Sequence, residues 1–162
     1  MFLNGGAMRG GQLHPLLGGA PLVAVTTSAP LYRFFSVGDR FPAMAPLDHP
    51  ALLGYAALPD YAAPPRGAPG EVPGEVGYAV GEVGYAVAGV GYAVAGEVYD
   101  LPLEVLRDSL LPAEPEELEL GVIQLADGTP SLAMVLRRSL RGSPSLIDIS
   151  PIGSWRAYLD ST

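Results

Sequence analysis

Asn4-Gly5-Gly6-Ala7-Met8-Arg9-Gly10-Gly11-Gln12-Leu13-His14-Pro15-Leu16-Leu17 is the stretch around which the chain is organised. The short apolar start before it, Met1-Phe2-Leu3, reads as the end of a buried strand. Gly5, Gly6, Gly10 and Gly11 allow positive φ and close approach of a ligand to the backbone, both of which side chains oppose. Successive N–H groups in such a loop form a concavity for anions. Arg9 adds a permanent positive charge that suits a carboxylate or phosphate. His14 is one of only two histidines, the side-chain type that changes charge near neutral pH. The same residues also suit a plain Gly-rich turn, with Arg9 in solvent and His14 opening a short apolar segment. No Gly-Lys-Ser/Thr follows and the Rossmann spacing is absent, so the loop is neither of the common nucleotide-binding fingerprints.

Composition narrows the chemistry. At 162 residues the chain reads as one domain, and with 49% apolar residues it can bury a core. A formal charge of −8 argues against nucleic acid and anionic membranes as partners. All nine basic side chains are arginines, so Schiff-base chemistry, a P-loop lysine and a Ser/Lys amidase mechanism are excluded. With no cysteine there is no thiol catalysis, thiolate metal site or disulfide. No signal peptide and no apolar run of membrane-spanning length is present, so the expected location is the cytoplasm.

Pro21–Val25 and Leu31–Val37 read as strands from their β-branched and aromatic residues, the second closed by Gly38-Asp39. Phe41–Met44 reads as a return strand that Pro42 keeps at an edge. His49 sits in a turn beside Asp48; two histidines alone make a poor metal site, and none is expected. From about residue 59 to 95 the composition shifts to Pro, Gly, Ala, Val and Tyr. Here Gly74–Val80, Gly81–Val87 and Ala88–Val94 repeat a seven-residue unit, carrying Tyr78, Tyr85 and Tyr92. Its glycines and valines exclude a coiled coil. It reads as a duplicated insertion or as a Tyr-rich ribbon of hairpins.

Regular structure resumes with the strand Gly96–Tyr99, followed by a helix from Asp100 as N-cap. Leu103, Leu106 and Leu110 share its buried face, and Pro112 stops it. Glu114, Glu116, Glu117 and Glu119 form an acidic loop. Gly121–Leu125 and Leu132–Leu136 flank Asp127-Gly128 as a hairpin. Arg137, Arg138 and Arg141 read as a solvated edge. Ser154 caps a final helical turn whose Trp155, Tyr158 and Leu159 dock on the body. Together these elements predict an α+β domain, a compact mixed β-sheet or small barrel with one or two short helices.

Asn4–Leu17 resembles the N-terminal loop of γ-glutamylcyclotransferase-like proteins, typically Tyr-Gly-Ser/Thr-Leu, a glycine-containing turn and Asn-His. Asn4-Gly5-Gly6-Ala7 replaces the first four residues and His14 falls on the His. Gly96-Glu97-Val98-Tyr99-Asp100 resembles the same family's Gly-Glu-Val-Tyr strand. More narrowly, Leu120–Gly128 and the tail from Asp148-Ile149 to Gly153-Ser154-Trp155-Arg156-Ala157-Tyr158-Leu159 resemble the allophanate hydrolase C-terminal domain, which shares that fold. The resemblance covers most of residues 1–162 outside the 59–95 insertion.

It implies a small carboxylated ureido, amide or γ-glutamyl ligand held by Gly5, Gly6, Ala7, Met8, Arg9, Gly10 and Gly11, with no cofactor. His14 would act as acid or base, or orient a departing carboxylate, if the domain decarboxylates N-carboxycarbamate in urea or amide nitrogen breakdown. Glu114 falls near the position of the cyclotransferase base, in an unusual Pro-Ala-Glu-Pro-Glu-Glu setting that equally suits a solvated loop. In that role it would need burial and a raised pKa. Three readings follow: a stand-alone domain acting through His14, a cyclotransferase with Glu114 as base, and a non-catalytic accessory or assembly subunit of an amidase, or a homodimer.

Overall fold

The computed structural model describes residues 1–47 and 90–162. Among these residues three antiparallel sheets form the body. β1 (Phe2–Leu3), β2 (Leu22–Thr27) and β5 (Ala95–Tyr99) make the first, with β5 in the centre. β3 (Tyr32–Val37), β4 (Phe41–Pro46) and β8 (Leu146–Asp148) make the second, with β3 central and Pro42 on an edge strand as expected. β6 (Leu118–Gln124) and β7 (Pro130–Leu136) pair as the hairpin around Asp127-Gly128, with Gln124 opposite Pro130. Gly128 takes φ +87°, a backbone that explains glycine in this turn.

Position in the sheet decides which residues are buried. On β3 the larger side chains alternate, Tyr32 and Phe34 inward and Arg33 and Phe35 less so, as a half-buried strand requires. Phe2, Phe34, Leu17, Met44, Leu110 and Ile123 are the largest fully buried side chains of the core. Central β5 is so closely flanked that a Cβ on Gly96 would lie 2.4 Å from both the Leu3 carbonyl oxygen and Phe2 Cζ. Only glycine fits there. A smaller cluster of Val37, Ala43, Ala45, Leu118 and Leu136 joins the second sheet to the hairpin.

The helical part differs from expectation. α1 (Leu103–Val105) begins after Pro102, not at a side-chain cap from Asp100, and continues as a π-turn over Leu106–Leu110 and a 3₁₀ turn over Leu111–Ala113. Widening the helix after α1 leaves Leu103 71% exposed while Leu106 and Leu110 are buried. α2 (Trp155–Leu159) is capped by Ser154, whose Oγ accepts from the Ala157 N–H at 3.3 Å. Trp155 and Tyr158 dock as expected, stacked at 5.4 Å, whereas Leu159 faces solvent. In so short a helix one face holds only two anchors.

The two ends of the span 48–89 meet. The Leu47 N–H donates to the Leu31 carbonyl and the Tyr92 N–H to the Tyr32 carbonyl. Between them Gly91 has no room for a side chain: its Cβ would fall 2.2 Å from the Pro30 carbonyl oxygen and 3.0 Å from Leu47 Cδ1. His49, Tyr78, Tyr85 and most of the repeat lie outside the described residues.

Candidate functional site

The loop after β1 is held from below by one carboxylate. Glu97, on central β5, is 1% exposed. It accepts the Arg9 N–H at 2.8 Å, Arg9 Nε at 3.2 Å, Arg156 Nη2 at 3.1 Å and the Tyr99 hydroxyl at 2.8 Å. Burial alone would raise its pKa, but the Arg9 N–H, the Tyr99 hydroxyl and the two guanidiniums together hold it down at about 2. The Tyr99 hydroxyl, buried and donating to a carboxylate, is pushed up to about 12. Arg156 also donates to the Arg9 carbonyl at 2.6 Å, so α2 grips the same loop.

Within the loop the backbone closes on itself. Met8 N–H donates to Gly5, Leu13 N–H to Gly6, and Gly11 N–H to Met8. A Cβ on Gly11 would fall 2.1 Å from the Gly6 carbonyl oxygen, so this glycine is a packing necessity. The N–H groups of Gly5, Gly6 and Ala7 have no acceptor among the described residues. Three consecutive N–H groups without an acceptor at the end of a strand are donors of the kind an anion-binding concavity uses.

Those residues line a cavity of about 270 Å³. Phe41 and Pro42 of β4, Met134 of β7 and Trp155 of α2 supply apolar walls, and Asn4, Gln12, Arg40 and Glu114 the polar groups. Asn4 Nδ2 is buried without a partner among the described residues. Glu114 follows the 3₁₀ turn and precedes Pro115, which excludes a helical backbone; its φ −75° and ψ 146° send the chain on into β6. Burial pushes its carboxyl up to about 7, with no countering charge among the described residues. The rest of the acidic run behaves as a solvated loop would: Glu117 pairs with Arg40 at 2.8 Å, Glu119 with Arg137 at 3.4 Å, and Glu116 is exposed.

The residues singled out from sequence thus separate into three positions. Gly5, Gly6, Ala7 and Glu114 line the cavity. Met8, Arg9, Gly10 and Gly11 line a different hollow on the outer side of the loop. His14 lines neither: its Nδ1–H donates to the Ala7 carbonyl at 3.2 Å, and its ring meets Tyr99 edge-on at 5.8 Å. The histidine braces the loop from behind. Arg9 is anchored to Glu97, because a buried carboxylate on a central strand demands cationic partners. Among the described residues no three His, Asp or Glu side chains converge to hold a metal.

Glu97 and Arg156 were not singled out from sequence as site residues. The available signal was an acid between Gly96 and Val98 in an otherwise apolar strand, a position that charge occupies only when paired. Phe41, Met134 and Trp155 carry no local mark of a cavity wall.

An antiparallel α+β body with a glycine loop over its central strand defines a class, and the family model of the allophanate hydrolase C-terminal domain matches residues 83–160. Over those residues the chain is similar to that domain, and its fold is shared with allophanate hydrolase. Among solved structures it is similar to c4763, a uropathogenic E. coli-specific protein, at 25% identity and a TM-score of 0.67, over 99% of this chain and 94% of that one. It also shares the fold of Kluyveromyces lactis allophanate hydrolase (16% identity, TM-score 0.66) over 99% of this chain. The K. lactis urea amidolyase gives the same identity, TM-score and coverage of this chain. The chain spans only 21% of that hydrolase and 8% of that amidolyase. A search of curated proteins gives no match. Among the described residues no helix is long and apolar enough to cross a membrane.

Proposed function

We propose that the cavity binds a small amide or ureido compound carrying a carboxylate, and that Glu114 exchanges protons with it without a cofactor. The observation that carries this reading is a largely buried Glu114 carboxyl in the same cavity as the N–H groups of Gly5, Gly6 and Ala7, all without a partner among the described residues. A carboxyl that titrates near 7 is suited to take a proton and return it at neutral pH. In this scheme the ionised Glu114 accepts the proton of a ligand nitrogen as it closes on a carbonyl carbon. The loop N–H groups hold the oxygen that becomes negative. The protonated Glu114 then returns the proton to the departing nitrogen, so the residue ends as it began. This is cyclotransferase-type chemistry. His14, behind the loop, contributes by fixing the Ala7 carbonyl.

The test is an NMR titration with malonate, N-carboxycarbamate analogues and γ-glutamyl dipeptides, followed by turnover assays. Saturable shifts confined to Gly5–Ala7 are expected, with turnover reduced by about 10²–10⁴-fold in Glu114→Gln while binding persists. Wild-type turnover in Glu114→Gln refutes the role of this residue, and no shift with any compound removes the cavity reading altogether.

A second reading, an accessory role in assembly with an amidase or a second copy, is supported by an exposed apolar strip. Val23 and Val25 of β2 and Val122 of β6 are each more than 60% exposed, and Leu132 of β7 shares a groove with Val23. Co-purification with an amidase, or concentration-dependent dimerisation lost on Val122→Asp, would favour it.

A further inference from the structure

Two guanidiniums meet one carboxylate at Glu97, and most of their donors are left over. Arg9 uses only Nε, and Arg156 only Nη2, for the side-chain bonds described above. Arg9 Nη1 and Nη2 and Arg156 Nε and Nη1 have no acceptor among the described residues. Both side chains are about half exposed, at 54% and 50%. The N–H groups of Gly10 and Gln12 likewise have no acceptor among the described residues. All four residues line an outer hollow of about 340 Å³, with Trp155 and Leu159 as its apolar side. The surplus positive charge is local, in a chain whose formal charge is −8.

We propose that this outer hollow is a binding site for a small oxyanion, a carboxylate or phosphate group held by Arg9 and Arg156. Guanidinium donors match such a group in geometry and charge. Glu97 fixes both arginines in advance, so little side-chain freedom is lost on binding. The hollow shares Gly5, Gly6, Gln12 and Trp155 with the Glu114 cavity, so the two meet at the loop. Resting on the function proposed above, this narrows the ligand to one with two anionic or carbonyl-bearing ends, its reacting carbonyl at Glu114 and its second anion outside at the arginines.

The test is ¹⁵N-arginine NMR of the whole chain, following the Arg9 and Arg156 Nε–H signals during titration with malonate and, separately, with inorganic phosphate. Sodium chloride at matched ionic strength is the control. Saturable shifts of both signals beyond the control are expected. Gln12→Glu, which puts a negative charge at the rim without touching the Glu97 bonds, should weaken binding at least tenfold. Tighter malonate assigns a carboxylate ligand and tighter phosphate a phosphate. Shifts no larger than those from chloride, or unchanged affinity in Gln12→Glu, overturn the site. The Glu114→Gln turnover assay reports on the cavity separately. If turnover depends on Glu114 while the arginine signals ignore both anions, the outer site falls and the cavity reading stands.

Discussion

Raising the pH from 4.5 to 8 should destabilise this fold through a single side chain, Glu114. In the unfolded chain its carboxyl ionises near the ordinary value of 4.5, whereas in the folded protein burial holds the proton until about pH 7. Between those values the folded state binds a proton that the unfolded state has released, so stability falls as pH rises through that window and levels off above 7. The interval of 2.5 pH units, at about 1.36 kcal/mol each, gives a ceiling near 3 kcal/mol. Because the carboxyl retains some contact with solvent, a loss of about 1–3 kcal/mol is expected. Urea unfolding at pH 5 and pH 8 measures it, and Glu114→Gln, which cannot ionise, should flatten the difference. The same slope in wild type and Glu114→Gln would refute the reasoning. So would a carbon-13 titration of the Glu114 carboxyl with a midpoint near 4.5.

Glu97 should give the opposite sign in a lower window. Its folded pKa of about 2 lies below the unfolded 4.5, so its contribution, up to about 3 kcal/mol, is present above pH 4.5 and lost as pH falls toward 2. Glu97→Gln should therefore destabilise the fold by about 2–4 kcal/mol at pH 7 and flatten the acid limb, read from urea midpoints between pH 2.5 and 6. Gly11→Ala should displace the loop, because its new Cβ meets the Gly6 carbonyl; amide signals of Gly5–Ala7 should move with a stability loss of about 1–3 kcal/mol. Unchanged loop signals would refute that packing account.

What was legible in the sequence was local. β3, the β6–β7 hairpin and the Ser154 cap announce themselves through alternation, an Asp-Gly turn and a capping residue, all of which act over a few neighbours. The loop's capacity for unpaired N–H groups followed from its glycines in the same way. The switch from α1 to a π-turn did not, because the pattern of Leu103, Leu106 and Leu110 assumes a constant turn width. Glu114 illustrates the larger gap. In sequence it looks like its acidic neighbours; what sets it apart is a cavity whose walls, Phe41, Met134 and Trp155 among them, come from distant parts of the chain. Arg9 shows the same gap: its charge is plain in the sequence, but the carboxylate 88 positions away that anchors it is not.

The meeting of Leu47 and Gly91 bears on how the repeat could arise. Both ends are pinned to Leu31 and Tyr32 by backbone bonds, so the strands on either side stay in place whatever number of residues runs between them. A Gly-Tyr-Ala-Val unit gained or lost between these two anchors leaves untouched the backbone pairing that frames the body, and with it the positions of the glycine loop, Glu97 and Glu114.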